Sequence, residues 1–183
     1  AERGNDPYDT LVAYENFFVN LPQYLSNPGV HCIKDLFPGR PAVVVAAGPS
    51  LNKNAHLLRM LDQRAVILSA DASLKPLREW GVMPHLITTV ERTPGSEKFF
   101  ENVSPLEHTV LAVVSFTYPR TLDSYPGPLL FMHRKYHFYE TLGIDEDCFE
   151  MGGTTAHCAF AIARYMGCNP IIFIGQDLSF GPD

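Results

Sequence analysis

The hydrophobic positions of this chain change their period near residue 40. Before that point Leu11, Tyr14, Phe17, Phe18, Leu21 and Leu25 recur at helical spacing, which predicts an amphipathic helix from about Asp9 to Leu25. Pro22 lies inside that span and is expected to end or bend the helix. The apolar stripe is expected to pack on the core, with a partner interface as the other reading. Pro28-Gly29 and Pro38-Gly39-Arg40-Pro41 then punctuate the chain. From residue 41 the pattern changes. Ala42 to Ala47 (AVVVAA) is a short, wholly apolar run of the kind a fully buried parallel strand shows. A helix is predicted from about Asn52 to Asp62, a strand at Ala65 to Ala70, a helix at Ser73 to Trp80 and a strand at Leu86 to Val90. Thr109 to Val114 and Leu129 to Met132 read as two more strands. Thr154 to Met166 is the clearest helix, followed by a strand at Ile171 to Ile174. Strand and helix alternating in this way predict βαβ crossovers, hence a Rossmann-like α/β fold with a mostly parallel sheet and helices on both faces.

The expected organisation is therefore a helical lead-in over residues 1–40 and a Rossmann-like nucleotide-binding domain over 41–183. Only Gly175 to Asp183 follow the last strand, with no covering helix, so the chain is expected to be part of a longer protein. Its 183 residues and 46% hydrophobic content suffice to bury a core. A net charge of −6 argues against a general nucleic-acid surface but leaves a local phosphate site open. No apolar run reaches the roughly 18 residues a membrane helix needs. Cys32, Cys148, Cys158 and Cys168 form no C-x-x-C pair and are expected to be buried thiols of a cytoplasmic protein. His157 and Cys158 are adjacent on a predicted helix, where their side chains diverge, so no metal site is expected there.

In open α/β sheets ligands bind beyond the carboxyl ends of the strands, and the polar residues of this chain cluster at those ends. Gly48-Pro49-Ser50 follows the first strand. Gly48 permits close backbone approach, and Ser50 can cap the next helix, leaving its N–H groups as an anion site; the alternative is an ordinary structural turn. Asp71, at the end of the second strand, is placed to accept ribose hydroxyls or to cap a helix. Glu91 and Asp177 end two further strands, with Gln176 beside the latter. Three carboxylates on one rim call for a cation, a hydroxylated ligand or an arginine, and Arg92 can serve as the ion-pair partner of Glu91. Magnesium is an open option. Gly152-Gly153-Thr154-Thr155 opens the long helix as a second candidate phosphate or sugar cradle, with His157 as a base, a phosphate contact or a plain surface residue. His133, Arg134, Lys135, Tyr136 and His137 form a basic and aromatic group, read either as a solvated loop or as charge stabilisation for a leaving phosphate. Trp80 is expected in the core.

Six segments carry a resemblance. They are Ala-Gly-Pro-Ser-Leu at 47–51, Asp71 with Leu74-Lys75-Pro76-Leu77, Gly81-Val82-Met83-Pro84-His85, Thr89-Val90-Glu91-Arg92, Gly152 to His157, and Gly167 to Leu178. Occurring in this order, they resemble the central domain of the motility accessory factors, the flagellin glycosyltransferases, a domain similar to archaeal 6-hydroxymethylpterin diphosphokinases. The resemblance implies a fold related to the sialyltransferases that use CMP-sugars. It also implies transfer of a nonulosonic acid from a CMP-sugar to a Ser or Thr of flagellin. On that reading Gly48, Pro49, Ser50, Asp71, Glu91, Gly152, Gly153, Thr154, Thr155 and Gln176 bind the nucleotide, while His157 and Asp177 are catalytic. No tightly bound cofactor is expected beyond the CMP-sugar donor. The diphosphokinase branch implies instead ATP- and magnesium-dependent pyrophosphoryl transfer, and a non-catalytic Rossmann scaffold is the third reading.

Overall fold

The computed structural model describes residues 7–61, 63–135, 137–144 and 148–179. Its centre is a seven-stranded sheet in which every neighbouring pair is parallel. The strands are β1 (Ala42–Val45), β2 (Val66–Ala70), β3 (Leu86–Thr89), β4 (Val110–Val114), β5 (Leu129–Arg134), β6 (Cys148–Phe149) and β7 (Ile171–Ile174). They lie in the order β6-β5-β4-β3-β2-β1-β7. The first three and β5 begin within a residue or two of the expected apolar runs, because β1 to β3 are buried at every position and only Val110 and Arg134 of β4 and β5 are half-exposed.

The side chains of each strand alternate between two cores. Ala42, Val44, Leu68, Ala112, Val114 and Met132 face α6 (Thr155–Tyr165), whose Cys158, Ala159, Ile162 and Ala163 pack on them. Val43, Val45 and Ile67 face α2 (Leu51–Leu58) and α3 (Leu74–Glu79), and Ile87, Leu111 and Val113 continue that face towards α4 (Pro119–Ser124). Helices thus cover both faces, as the alternation predicts. Three short elements were not legible in the pattern: α4, α5 (His137–Leu142) and the two-residue β6.

The lead-in corrects two expectations. First, Pro22 does not end α1, which runs from Pro7 to Ser26. Tertiary bonds hold it. The side-chain amide of Asn16 donates to the carbonyls of Arg92 (2.8 Å) and Phe116 (3.0 Å), and that of Asn20 donates to Ser115 (2.8 Å) and Thr117 (2.7 Å). Second, the apolar stripe does not pack on the core. Phe17 alone of its six members is buried, and Leu11, Tyr14, Phe18 and Leu25 are exposed. The buried face carries Asn16 and Asn20 because strand-end carbonyls beyond β3 and β4 need donors. Trp80 is half-buried beside the α2/α3 core, not inside it. All four cysteines remain thiols: Cys158 and Cys168 are buried, Cys148 is half-buried and Cys32, against expectation, is exposed. Among the described residues no helix is long and apolar enough to cross a membrane.

Candidate functional site at the carboxyl rim of the sheet

The strand order reverses direction at β1: β2 lies on one side of it, and β7, which arrives after α6 has crossed the sheet, lies on the other. In parallel sheets such a switch point opens a crevice beyond the strand ends. Here the two turns that flank it are locked together. Gly48 donates its N–H to the carbonyl of Gly175 (2.8 Å), and Ser50 donates both its N–H (3.0 Å) and its hydroxyl (2.8 Å) to Asp177 Oδ2. The backbones approach so closely that a Cβ on Gly48 would collide with Asp177, and one on Gly175, whose φ is +73°, would collide with the carbonyl of Ala46.

This geometry corrects the reading of Ser50. Its side chain makes no capping bond to α2, and its N–H is not open to a phosphate. The carboxylate of Asp177 already occupies that anion position. The two hydrogen bonds from Ser50, side chain first, hold Asp177 below the usual carboxylate range, so it stays ionised. Gln176 beside it is exposed.

One strand further along, the chain leaves β2 into a single 3-10 turn at Asp71–Ser73, and the Ser73 hydroxyl reaches back to the carbonyl of Val45 (3.3 Å). Asp71 is buried. Its Oδ2 accepts from the Thr89 hydroxyl (2.7 Å) and its Oδ1 from the Ala72 N–H (2.8 Å). Burial nevertheless raises its pKa, helped by the nearby charge of Glu91. Asp71 and Glu91 line one cavity of about 340 Å³ with Thr93, Ser96 and Lys98. Glu91 and Arg92 do not pair within it: Arg92 lines a separate cavity.

The start of α6 reaches the same rim. Thr154 caps it, its hydroxyl oxygen accepting the N–H of His157 (3.3 Å), and the Thr88 hydroxyl at the end of β3 donates to the carbonyl of Thr155 (3.0 Å). Gly153 and Thr154 are exposed, and so is His157, which shares a cavity of about 710 Å³ with Gly152. The basic and aromatic group is not a solvated loop. His133 is fully buried within β5, 3.1 Å from the Ser115 hydroxyl, and Arg134 donates to the carbonyl of Gly152. His137 stands exposed on α5, Lys135 is exposed between the two, and Tyr136 lies outside the described residues. The structure therefore brings the expected residues to one rim but distributes them among three places. Ser50 and Asp177 bond each other, Asp71 and Glu91 share one cavity, and Gly152 and His157 share another. The Ser50–Asp177 contact joins residues 127 apart and carries no local signal in the sequence.

No curated protein matches the chain. Among solved structures, the MAf glycosyltransferase from Magnetospirillum magneticum AMB-1 is similar in fold, with a TM-score of 0.65 and 20% identity over 84% of this chain. This chain spans 27% of the length of that protein. The 6-hydroxymethylpterin diphosphokinase MptE-like family matches residues 15–183, nearly the whole length, and the chain belongs to that family.

Proposed function

We propose that this chain is the nucleotide-sugar-binding domain of a glycosyltransferase. Its reaction would transfer a nonulosonic acid from a CMP-sugar to a Ser or Thr hydroxyl of a protein such as flagellin. The carrying observation is the switch point at β1, where the turns after β1 and β7 and the capped start of α6 all stand at the carboxyl ends of one parallel sheet. The solved structure of similar fold is a glycosyltransferase, which supports the reading. In this mechanism Gly152, Gly153, Thr154 and Thr155 present backbone N–H groups to the phosphate. The turn of Gly48, Pro49 and Ser50 forms the facing wall, held by Asp177. Asp71, Glu91 and Gln176 accept from sugar hydroxyls. The acceptor oxygen bonds to the anomeric carbon as the bond to the phosphate oxygen of CMP breaks. The hydroxyl proton would pass to His157, an exposed base in the first turn of α6. Asp177, held ionised by Ser50, acts on the turn more than on the proton. The site then operates in a cytoplasmic setting on a soluble donor.

A second reading rests on a different observation. Asp71 and Glu91 share a cavity, and these two carboxylates would hold a magnesium ion that would supply charge neutralisation for the phosphates of ATP, as pyrophosphoryl transfer to a hydroxymethylpterin would need. Among the described residues no three His, Cys, Asp or Glu side chains stand together, so the protein would contribute no more than these two carboxylates. Calorimetry with CMP, with and without magnesium, and with ATP plus magnesium separates the readings. CMP binding that ignores magnesium is the expected result. Magnesium-dependent ATP binding without CMP binding establishes the second reading, and no binding of either leaves a scaffold.

A further inference from the structure

A cavity of about 330 Å³ opens between α1, α5 and the turn after β3, and none of the residues proposed above to bind the donor or move the proton lines it. Its walls are aromatic. Tyr14 and Phe17 come from α1, Phe116 from the turn after β4, and Phe138 and Tyr139 from α5. Phe138 is the hub, with its ring centroid 4.8 Å from that of Tyr14 and 5.1 Å from that of Phe17. The walls are fixed in place by the asparagine bonds of α1, since Asn16 ties the helix to the carbonyls of Arg92 and Phe116, two of the lining residues. Tyr139 directs its hydroxyl away, to Ser115.

Arg92 supplies the charge. It is half-buried at the cavity, and among the described residues its guanidinium makes no ion pair or hydrogen bond. His137 Nδ1 stands 3.4 Å from Glu140 on the exposed side of α5, Glu140 does not line the cavity, and Glu91 lines the neighbouring one. A five-donor cation set against stacked rings favours an anion that brings a planar ring of its own. A polyol ring suits the cavity poorly: its hydroxyls would meet aromatic faces with few partners.

We infer that this cavity binds a small anion carrying one planar aromatic ring, with the ring packed against the wall formed by Tyr14, Phe17 and Phe138 and the anionic group on Arg92. Nucleotides and simple aryl phosphates share that chemistry. The site is independent of the rim residues, so it stands or falls separately from the glycosyltransferase reading.

Calorimetry on the chain with four probes tests it: phenyl phosphate, CMP, ribose 5-phosphate (an anion without a planar ring) and phenol (a ring without the anion). Phenyl phosphate is expected to bind at least about tenfold tighter than ribose 5-phosphate or phenol, a charge-assisted bond and a stacked ring each being worth about that factor. Arg92→Gln and Phe138→Ala, each checked for an unchanged circular dichroism spectrum, should each weaken phenyl phosphate about tenfold, while Asp71→Asn leaves it unchanged. If CMP is weakened by Arg92→Gln as well, the ligand can be a nucleotide; if CMP responds only to Asp71→Asn, the cavity takes non-nucleotide aryl anions. No binding of phenyl phosphate overturns the inference. So does binding of ribose 5-phosphate as tight as that of phenyl phosphate, or phenyl phosphate binding that is lost in Asp71→Asn and kept in Arg92→Gln. Should Phe138→Ala misfold, Tyr14→Leu, at an exposed position, replaces it with the same expected loss.

Discussion

The two ends of the rim use the same residue type in opposite ways. At the β1/β7 end, Asp177 is exposed, accepts two hydrogen bonds from Ser50 and is held below the usual carboxylate range. At the β2/β3 end, Asp71 is buried, accepts from Thr89 and Ala72, and is still pushed up by desolvation and by Glu91. Burial decides the difference, because both carboxylates have two donors. The pair illustrates how one rim holds a carboxylate that stays ionised and another that keeps a proton to higher pH. It also divides the rim into an end closed by its own hydrogen bonds and an end left open to a ligand.

The largest expected effect falls on the closed end. Gly175→Ala puts a Cβ into the carbonyl of Ala46 at a positive φ, and should lower stability by about 2–4 kcal/mol in urea denaturation. At the open end, Thr93→Ala at an exposed cavity position should change stability by no more than about 0.5 kcal/mol. Comparable losses at the two positions would erase the division.

Next in size is Asp71→Asn. The amide keeps an acceptor for one of the two bonds but removes the desolvated charge, so stability near neutral pH should rise by up to about 1 kcal/mol. The sign follows from linkage. A carboxyl whose folded pKa is raised contributes most below its ordinary value, and that contribution is lost as pH rises through the raised value. Denaturation followed upward in pH from the ordinary carboxylate value should therefore show a flatter profile in the variant, falling less as pH rises. CMP affinity should drop about tenfold, the scale of one charge-assisted bond. Unchanged affinity would remove Asp71 from the binding site.

The sequence made some of this legible and hid the rest for physical reasons. Fully buried strands write themselves as apolar runs, so the starts and ends of β1 and β2 could be placed within a residue or two, and the edge strand β7, though exposed at Ile172 and Phe173, is apolar enough to read the same way. The carboxyl rim followed from the alternation of strand and helix. Short elements such as α4 and α5, six residues each, carry too few turns for a period to emerge. The orientation of α1 was hidden because its anchoring face is built on Asn16 and Asn20, whose value lies in distant carbonyls that no local pattern reveals. Ser50 misled for the same reason. A serine before a helix reads as a cap, and only the three-dimensional return of β7 beside β1 gives it Asp177 instead.

The smallest expected effect sharpens the comparison most. Ser50→Ala removes the hydroxyl bond to Asp177 but leaves the backbone N–H bond, so the latch should loosen without opening. Asp177 titrates low because those bonds favour its charged form, so its contribution to stability is present above the ordinary carboxylate value and is lost as pH falls through the depressed one. In the variant, the titration midpoint of the Asp177 carboxyl carbon, followed by NMR, should move up toward the ordinary value, while that of Asp71 stays where it is. A midpoint for Asp177 that does not move would mean the hydroxyl contact contributes nothing in solution. The closed end would then rest on the Gly48–Gly175 backbone bond and the N–H of Ser50 alone.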